Sequence, residues 1–77
     1  MTTEDRIKKI LVEEMNVTQD SLTPESNLLD DFGFDDLDMV EAVMYLEEEF
    51  DIEIPDEALD TFKTVKDMVD YVIGKVN

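Results

Sequence analysis

The chain has no basic side chain between Lys9 and Lys63. Its 77 residues include 22 Asp and Glu against six Lys and Arg, which gives a formal net charge of −16. Carboxylates without basic partners repel one another, and this repulsion opposes a compact state. Nevertheless 43% of the residues are apolar, and they recur at ordered intervals, unlike those of a disordered acidic tail. The sequence therefore predicts a folded domain with a strongly anionic surface.

The residue types that the chain lacks exclude several classes of function. Without cysteine there is no disulfide framework or thiolate metal site, and without histidine the commonest general base is missing. The carboxylates crowd a face that we expect to be exposed, so we predict that the protein is not an enzyme. No apolar run approaches the ~18 residues of a membrane span, and the N-terminus does not resemble a signal peptide. We expect a cytoplasmic monomer that does not insert into membranes.

Apolar residues at helical spacing recur along the chain. A first helix is expected from Thr2 or Thr3, a second from Asp35 or Asp36 to about Phe50, and a last one after the cap Thr64, fraying near Gly74. Their predicted apolar faces are Ile7, Ile10, Leu11 and Met15; Val40, Val43, Leu46 and Phe50; and Val65, Met68, Val69 and Val72. A short helix is expected from Pro55 to about Phe62. The predicted fold is all-α, a small bundle of three main helices and one short helix in a single domain, residues 1–77.

The connection between the first two helices, from Asn16 to about Gly33, is unusually long for a compact domain. It carries five apolar residues that predict packing over the core: Val17, Leu22, Leu28, Leu29 and Phe32. The rest of the predicted core lies further along the chain: Val43, Leu46, Phe50, Ile54, Ala58, Leu59, Phe62, Met68 and Val72.

The run Gly33-Phe34-Asp35-Asp36-Leu37-Asp38 resembles the acyl carrier proteins of type II bacterial fatty-acid synthesis, whose Asp-Ser-Leu motif begins a helix. The similarity continues in unbroken register to Ile54-Pro55-Asp56-Glu57. In that family a transferase attaches 4′-phosphopantetheine to the serine, and the thiol of this arm carries an acyl chain. The resemblance thus implies an acyl-chain carrier in fatty-acid biosynthesis, with an apolar core that also shelters the cargo.

The same resemblance implies which partners the protein has and where they bind. The expected partners are enzymes with basic patches, namely fatty-acid-synthesis enzymes and the phosphopantetheinyl transferase, which dock on the acidic second helix. By position, the implied docking face is Asp35, Leu37, Asp38, Glu41, Met44, Glu47 and Glu48.

Asp36 stands at the position of the modified serine. A carboxylate cannot form that phosphodiester, so the chain as written is expected to carry no cofactor; 4′-phosphopantetheine is expected only if residue 36 is serine. From the residue alone, Asp36 is interpreted as the N-cap of the second helix. Neither Ser21 nor Ser26 lies in an Asp-Ser-Leu context at a predicted helix start, so neither is expected to be a substitute. Two origins fit the aspartate: an introduced replacement that holds the protein unmodified, or a natural relative that binds partners without carrying cargo.

Two other functions are compatible with the charge. An acidic decoy that mimics nucleic acid would share the net charge but would not need the run from Asp35 to Glu57; nucleic acid itself is not an expected partner. Carboxylate clusters could attract calcium or magnesium weakly, but the spacing of an EF-hand is absent, so no dedicated metal site is predicted. These clusters are Asp30, Asp31, Asp35 and Asp38, and Glu47, Glu53 and Asp56.

Salt and divalent cations should stabilise this protein, because they screen the repulsion among its carboxylates. We expect the midpoint of thermal unfolding to be low at low ionic strength and to rise on adding sodium, magnesium or calcium chloride. A midpoint that does not respond to ionic strength would contradict the repulsion argument.

Overall fold

The computed structural model, which describes residues 2–76, contains four α-helices: α1 (Thr3–Glu13), α2 (Asp36–Phe50), α3 (Asp56–Leu59) and α4 (Val65–Val76). A 3₁₀ turn, Gln19–Ser21, lies in the connection between α1 and α2. Within residues 2–76 there is no strand, only an isolated antiparallel bridge between Asn27 and Thr64. The three longer helices pack on one another around a single core. The predicted all-α bundle with one short helix is confirmed.

Capping boxes begin both α1 and α4. At α1, the Asp5 N–H donates to Thr2 Oγ1 (3.1 Å) and the Thr2 N–H to Asp5 Oδ2 (3.3 Å), so Thr2 rather than Thr3 is the cap. At α4, Thr64 and Asp67 make the same exchange, as predicted, and Asp67 Oδ2 also accepts from the Lys63 N–H (3.0 Å). The backbone hydrogen bonds lower the pKa values of Asp5 and Asp67 below the usual 3.8, since they favour the charged form.

The predicted apolar faces of α1 and α4 are buried, apart from Met15, which is half-buried beyond the end of α1. On α2 the prediction was partly wrong: Val40 is 43% exposed, Phe50 is half-buried, and Ala42 is buried beside Val43 and Leu46. Residues advance by about 100° around a helix, which places Val40 far from the face that Ala42, Val43 and Leu46 turn toward the core. Of the other predicted core residues, Leu59 is half-buried and the remainder are buried.

The connection between α1 and α2 packs over the core, as expected. Val17, Leu22 and Leu28 are buried and Phe32 is half-buried, but Leu29 is 63% exposed, so its assignment to the core was wrong. Backbone hydrogen bonds tie this segment to the start of α4: Leu28 N–H to Lys63 O (2.9 Å), Val65 N–H to Ser26 O (3.1 Å) and Lys66 N–H to Pro24 O (2.9 Å). The connection that precedes α2 is therefore held against the start of α4.

The Arg6 side chain of α1 reaches the end of α2. Arg6 Nε and an Arg6 terminal nitrogen donate to Glu49 Oε2 (2.9 and 2.8 Å), and that terminal nitrogen also donates to the Glu49 carbonyl (3.0 Å). The guanidinium lies 4.4 Å from the centre of the Phe50 ring. Because α2 has no basic residue in its last turn, Arg6 supplies the positive charge that favours a helix C-terminus.

At the other end of the chain, α4 continues to Val76 instead of fraying near Gly74 as predicted. The Lys75 ammonium lies 5.6 Å from the centre of the Tyr71 ring in this last part of the helix. A lysine in the last turn also complements the negative end of the helix dipole. No helix among residues 2–76 combines the length and the apolar character needed to cross a membrane.

Ser26 is buried, and its hydroxyl forms hydrogen bonds with polar groups of the turn around it. It donates to the Ser21 carbonyl (2.7 Å), accepts from the Thr23 N–H (3.0 Å) and lies 2.9 Å from Thr23 Oγ1. Replacing Ser26 with alanine would remove these partly buried hydrogen bonds, each of which contributes about 0.5–1.5 kcal/mol.

We predict that Ser26→Ala lowers the free energy of unfolding by about 1–3 kcal/mol, measured by urea denaturation. Ser21→Ala is the matched control, because Ser21 is exposed and contributes only its backbone carbonyl to the network. Equal losses in the two variants would contradict the role assigned to the Ser26 hydroxyl.

Candidate functional site

The start of α2 is a capping box made of two aspartates. The Asp38 N–H donates to Asp35 Oδ1 (2.9 Å), and the Asp35 N–H donates to Asp38 Oδ2 (3.1 Å). Asp35 is therefore the N-cap and Asp36 the first helical residue, so the interpretation of Asp36 as the cap was wrong. The choice follows from spacing: a cap at Asp35 finds a carboxylate three residues on, whereas a cap at Asp36 would find Met39.

Asp36 is exposed and lies where two open grooves meet. The first groove, about 550 Å³, separates α2 from the segments 27–30 and 59–63, and the second, about 400 Å³, separates α2 from α3. Met39 and Leu59 line both grooves. The first groove is lined below by Leu28, Phe34 and Phe62 and is rimmed by Asp30, Asp35, Asp36 and Lys63. An extended apolar group attached at residue 36 would thus have apolar surface on either side.

Three exposed apolar residues follow Asp36 along one side of α2. Leu37 is 68%, Val40 43% and Met44 55% exposed, and their spacing of three and four residues places them in one row, which we call the α2 stripe. Leu37 and Met44 were predicted on the docking face, and Val40 was missed because its spacing from Val43 suggested the core. Glu41 and Glu48 are exposed on the same helix.

The remaining predicted docking residues have structural bonds. Asp35 and Asp38 form the cap described above, with Asp38 only partly exposed. Glu47 is also partly exposed, and its Oε2 accepts from the Ile54 N–H (2.8 Å), which fixes the link that follows α2. No local pattern predicts this last bond, since the donor is a backbone amide in an irregular segment.

The predicted carboxylate clusters do not form a metal site in the described part of the chain. Among residues 2–76, no group of three or more acidic side chains is placed so that it could hold a metal ion. Several of these carboxylates accept hydrogen bonds from backbone N–H groups. These are Asp31, whose Oδ2 accepts from Asn27 (2.6 Å), together with Asp35, Asp38 and Glu47; Asp30, Glu53 and Asp56 are exposed.

Neither of the two serines lies at the grooves beside residue 36. Ser26 is buried, and its hydroxyl makes three hydrogen bonds within the turn. Ser21 is exposed but ends the 3₁₀ turn in the connection after α1, and it lines neither of the two grooves.

Comparison with models of protein families gives a match over most of the chain. The model described as the phosphopantetheine attachment site matches residues 5–72. The matched range extends from the first turn of α1 into α4, and it contains Asp36, both grooves and the whole of α2.

Proposed function

Because the chain belongs to the family of phosphopantetheine attachment domains, we propose that it is an acyl-carrier module of type II fatty-acid synthesis that Asp36 keeps in the unmodified form. It docks on partner enzymes through α2. The observation that carries the proposal is the place of residue 36, which is exposed at the start of α2 and flanked by two grooves that Met39 and Leu59 line. In carriers of this family the arm supplies the thiol that holds the acyl chain.

The residues present do not fit covalent attachment of the arm. Asp36 offers a carboxylate where the linkage needs a hydroxyl. The Ser26 hydroxyl is buried, and the exposed Ser21 lines neither groove beside residue 36. The fold itself tolerates the aspartate, because the cap bonds are made by Asp35 and Asp38 and because the first turn of a helix favours negative charge. We therefore expect a folded carrier domain without cargo, whether the aspartate is introduced or native.

Docking through α2 is supported by the arrangement of charge and apolar surface on this helix. The α2 stripe exposes apolar side chains beside the carboxylates Glu41 and Glu48, and no basic residue of α2 neutralises them. A partner with a basic patch would be attracted over a distance by the net charge of −16. The apolar stripe would then supply the area that is buried on contact.

No observation favours the acidic-decoy alternative. A mimic of nucleic-acid charge needs neither an exposed apolar stripe nor grooves beside the start of α2. The family match over residues 5–72 also accounts for the arrangement of the helices without it.

The first test of the proposal replaces residue 36. Asp36→Ser should change the free energy of unfolding by less than about 1 kcal/mol, because the substitution removes only a charge near the helix start and leaves the cap. With coenzyme A and a broad-specificity phosphopantetheinyl transferase, this variant should gain one arm, measured by mass spectrometry of the intact protein.

The controls for this test are the chain as written and Asp36→Ala, neither of which should gain mass. Modification of either control would place the acceptor at another residue and refute the assignment of position 36. A folded Asp36→Ser variant that stays unmodified would refute the proposed carrier function.

A second test concerns the charges of α2. Replacing Glu41 and Glu48 together by lysine should slow association with the same transferase about tenfold at low salt, as measured by stopped-flow fluorescence, because exposed charges act mainly on the association rate. Glu47 is left unchanged, since its carboxylate holds the Ile54 N–H. The helical circular-dichroism spectrum should not change.

The matched control replaces Asp20 and Glu25 by lysine. Both are exposed in the connection between α1 and α2, and the net charge changes by the same amount. If both double variants associate at the same rate, then docking depends on net charge alone and not on α2.

A further inference from the structure

Leu29 is an exposed leucine on a well-bonded turn. Its side chain is 63% exposed, whereas that of Leu28 is 2% exposed. The Leu29 N–H donates to Asn27 Oδ1 (2.9 Å), and its carbonyl accepts from the Gly33 N–H (2.9 Å). The turn ends at Gly33, whose φ of +70° is a left-handed conformation that glycine adopts without strain. The backbone therefore fixes the position of Leu29, and the core does not include its side chain.

The turn places Leu29 close to the start of α2. Leu29 lines the same groove as Asp36 and Met39, and the α2 stripe begins at Leu37, immediately after Asp36. Exposed apolar side chains thus lie on either side of residue 36, one in the turn before α2 and three along α2. An apolar patch rimmed by polar groups is typical of a surface that is buried by a partner.

The charges around Leu29 indicate the chemistry of that partner. Three carboxylates, Asp30, Asp35 and Asp36, rim the groove against the single ammonium of Lys63. This excess favours a surface that carries Lys or Arg around an apolar contact. A second copy of the chain would bring the same carboxylates against each other, and each copy has a net charge of −16.

We propose that Leu29 is a second apolar anchor of the docking surface, contacted by the basic patch of a partner enzyme together with the α2 stripe. This inference rests on the proposed function. A row of contacts along one helix leaves the partner free to rotate about the helix axis. A further contact away from that row removes this freedom. Leu29 and the α2 stripe together therefore fix the orientation of residue 36 relative to the partner.

The test compares two exposed apolar residues. Leu29→Ser should raise the dissociation constant for a phosphopantetheinyl transferase about fivefold to thirtyfold, measured by titration calorimetry, as expected for the loss of an apolar anchor. Ile73→Ser is the control, because Ile73 is 37% exposed on α4 and lines neither groove beside residue 36. It should leave the dissociation constant unchanged.

A second measurement uses the unsubstituted chain and so does not depend on the folding of a variant. In methyl-resolved NMR, the Leu29 methyl signals should shift or broaden on adding the transferase, whereas those of Ile73 should not. Unchanged Leu29 signals, or equal affinity of Leu29→Ser and the unsubstituted chain, would overturn the proposal. A dimer in sedimentation experiments that Leu29→Ser dissociates would also overturn it, by assigning Leu29 to self-association.

The outcomes separate this inference from the proposed function. If the lysine substitutions at Glu41 and Glu48 weaken binding but Leu29→Ser does not, docking through α2 stands and the role of Leu29 is refuted. If the unsubstituted chain does not bind the transferase at all, both are refuted.

Discussion

Carboxylates of this protein accept hydrogen bonds from backbone N–H groups, both at the starts of the three longer helices and in the connecting segments. The residues concerned are Asp5, Asp31, Asp35, Asp38, Glu47 and Asp67. With 22 acidic and six basic residues, ion pairs cannot neutralise the chain. Three of the ion pairs in the structure lie within single helices at i,i+4 spacing, where their exposure to solvent makes them weak. Backbone N–H groups therefore stabilise the negative charge of these carboxylates, as basic side chains do in other proteins. Arg6 is the exception, because it joins α1 to the end of α2.

The same arrangement separates the fold from the chemistry at residue 36. Since Asp35 and Asp38 carry the cap of α2, the side chain at residue 36 is free to be a hydroxyl or a carboxylate without loss of the helix start. The acids that do not cap helices, such as Glu41 and Glu48, lie exposed on a chain segment without bases. Their repulsion opposes folding and at the same time produces the field that would steer a basic partner. The cost to stability and the proposed docking thus have one physical origin.

Most of the fold could be predicted from the sequence, because local signals agree with one another in α1 and α4. In α4 the capping pair Thr64 and Asp67 and the buried face follow directly from residue type and spacing. In α2 apolar residues lie on more than one side, so periodicity alone could not separate the core face from the stripe that contains Val40. No local sequence pattern predicts the exposure of Leu29 or the hydrogen bond from the Ile54 N–H to Glu47, since each depends on how separate segments pack. The position of residue 36 was predicted through family resemblance, and its two grooves were not.

The exposed apolar residues are the feature that stability alone does not explain. A chain of this length buries only ~60% of the surface that its unfolded form exposes, so its free energy of unfolding is small. Each apolar side chain outside the core contributes little to it. Leu29, Leu37, Val40 and Met44 nevertheless lie outside the core, and they are held there by a capped helix and a hydrogen-bonded turn. Rigid backbone under exposed apolar groups favours binding, because little conformational entropy is lost when a partner covers them. Natural proteins accept such losses of stability at functional surfaces. The surface around residue 36 therefore has the properties expected of a contact site, even though Asp36 itself lacks the hydroxyl.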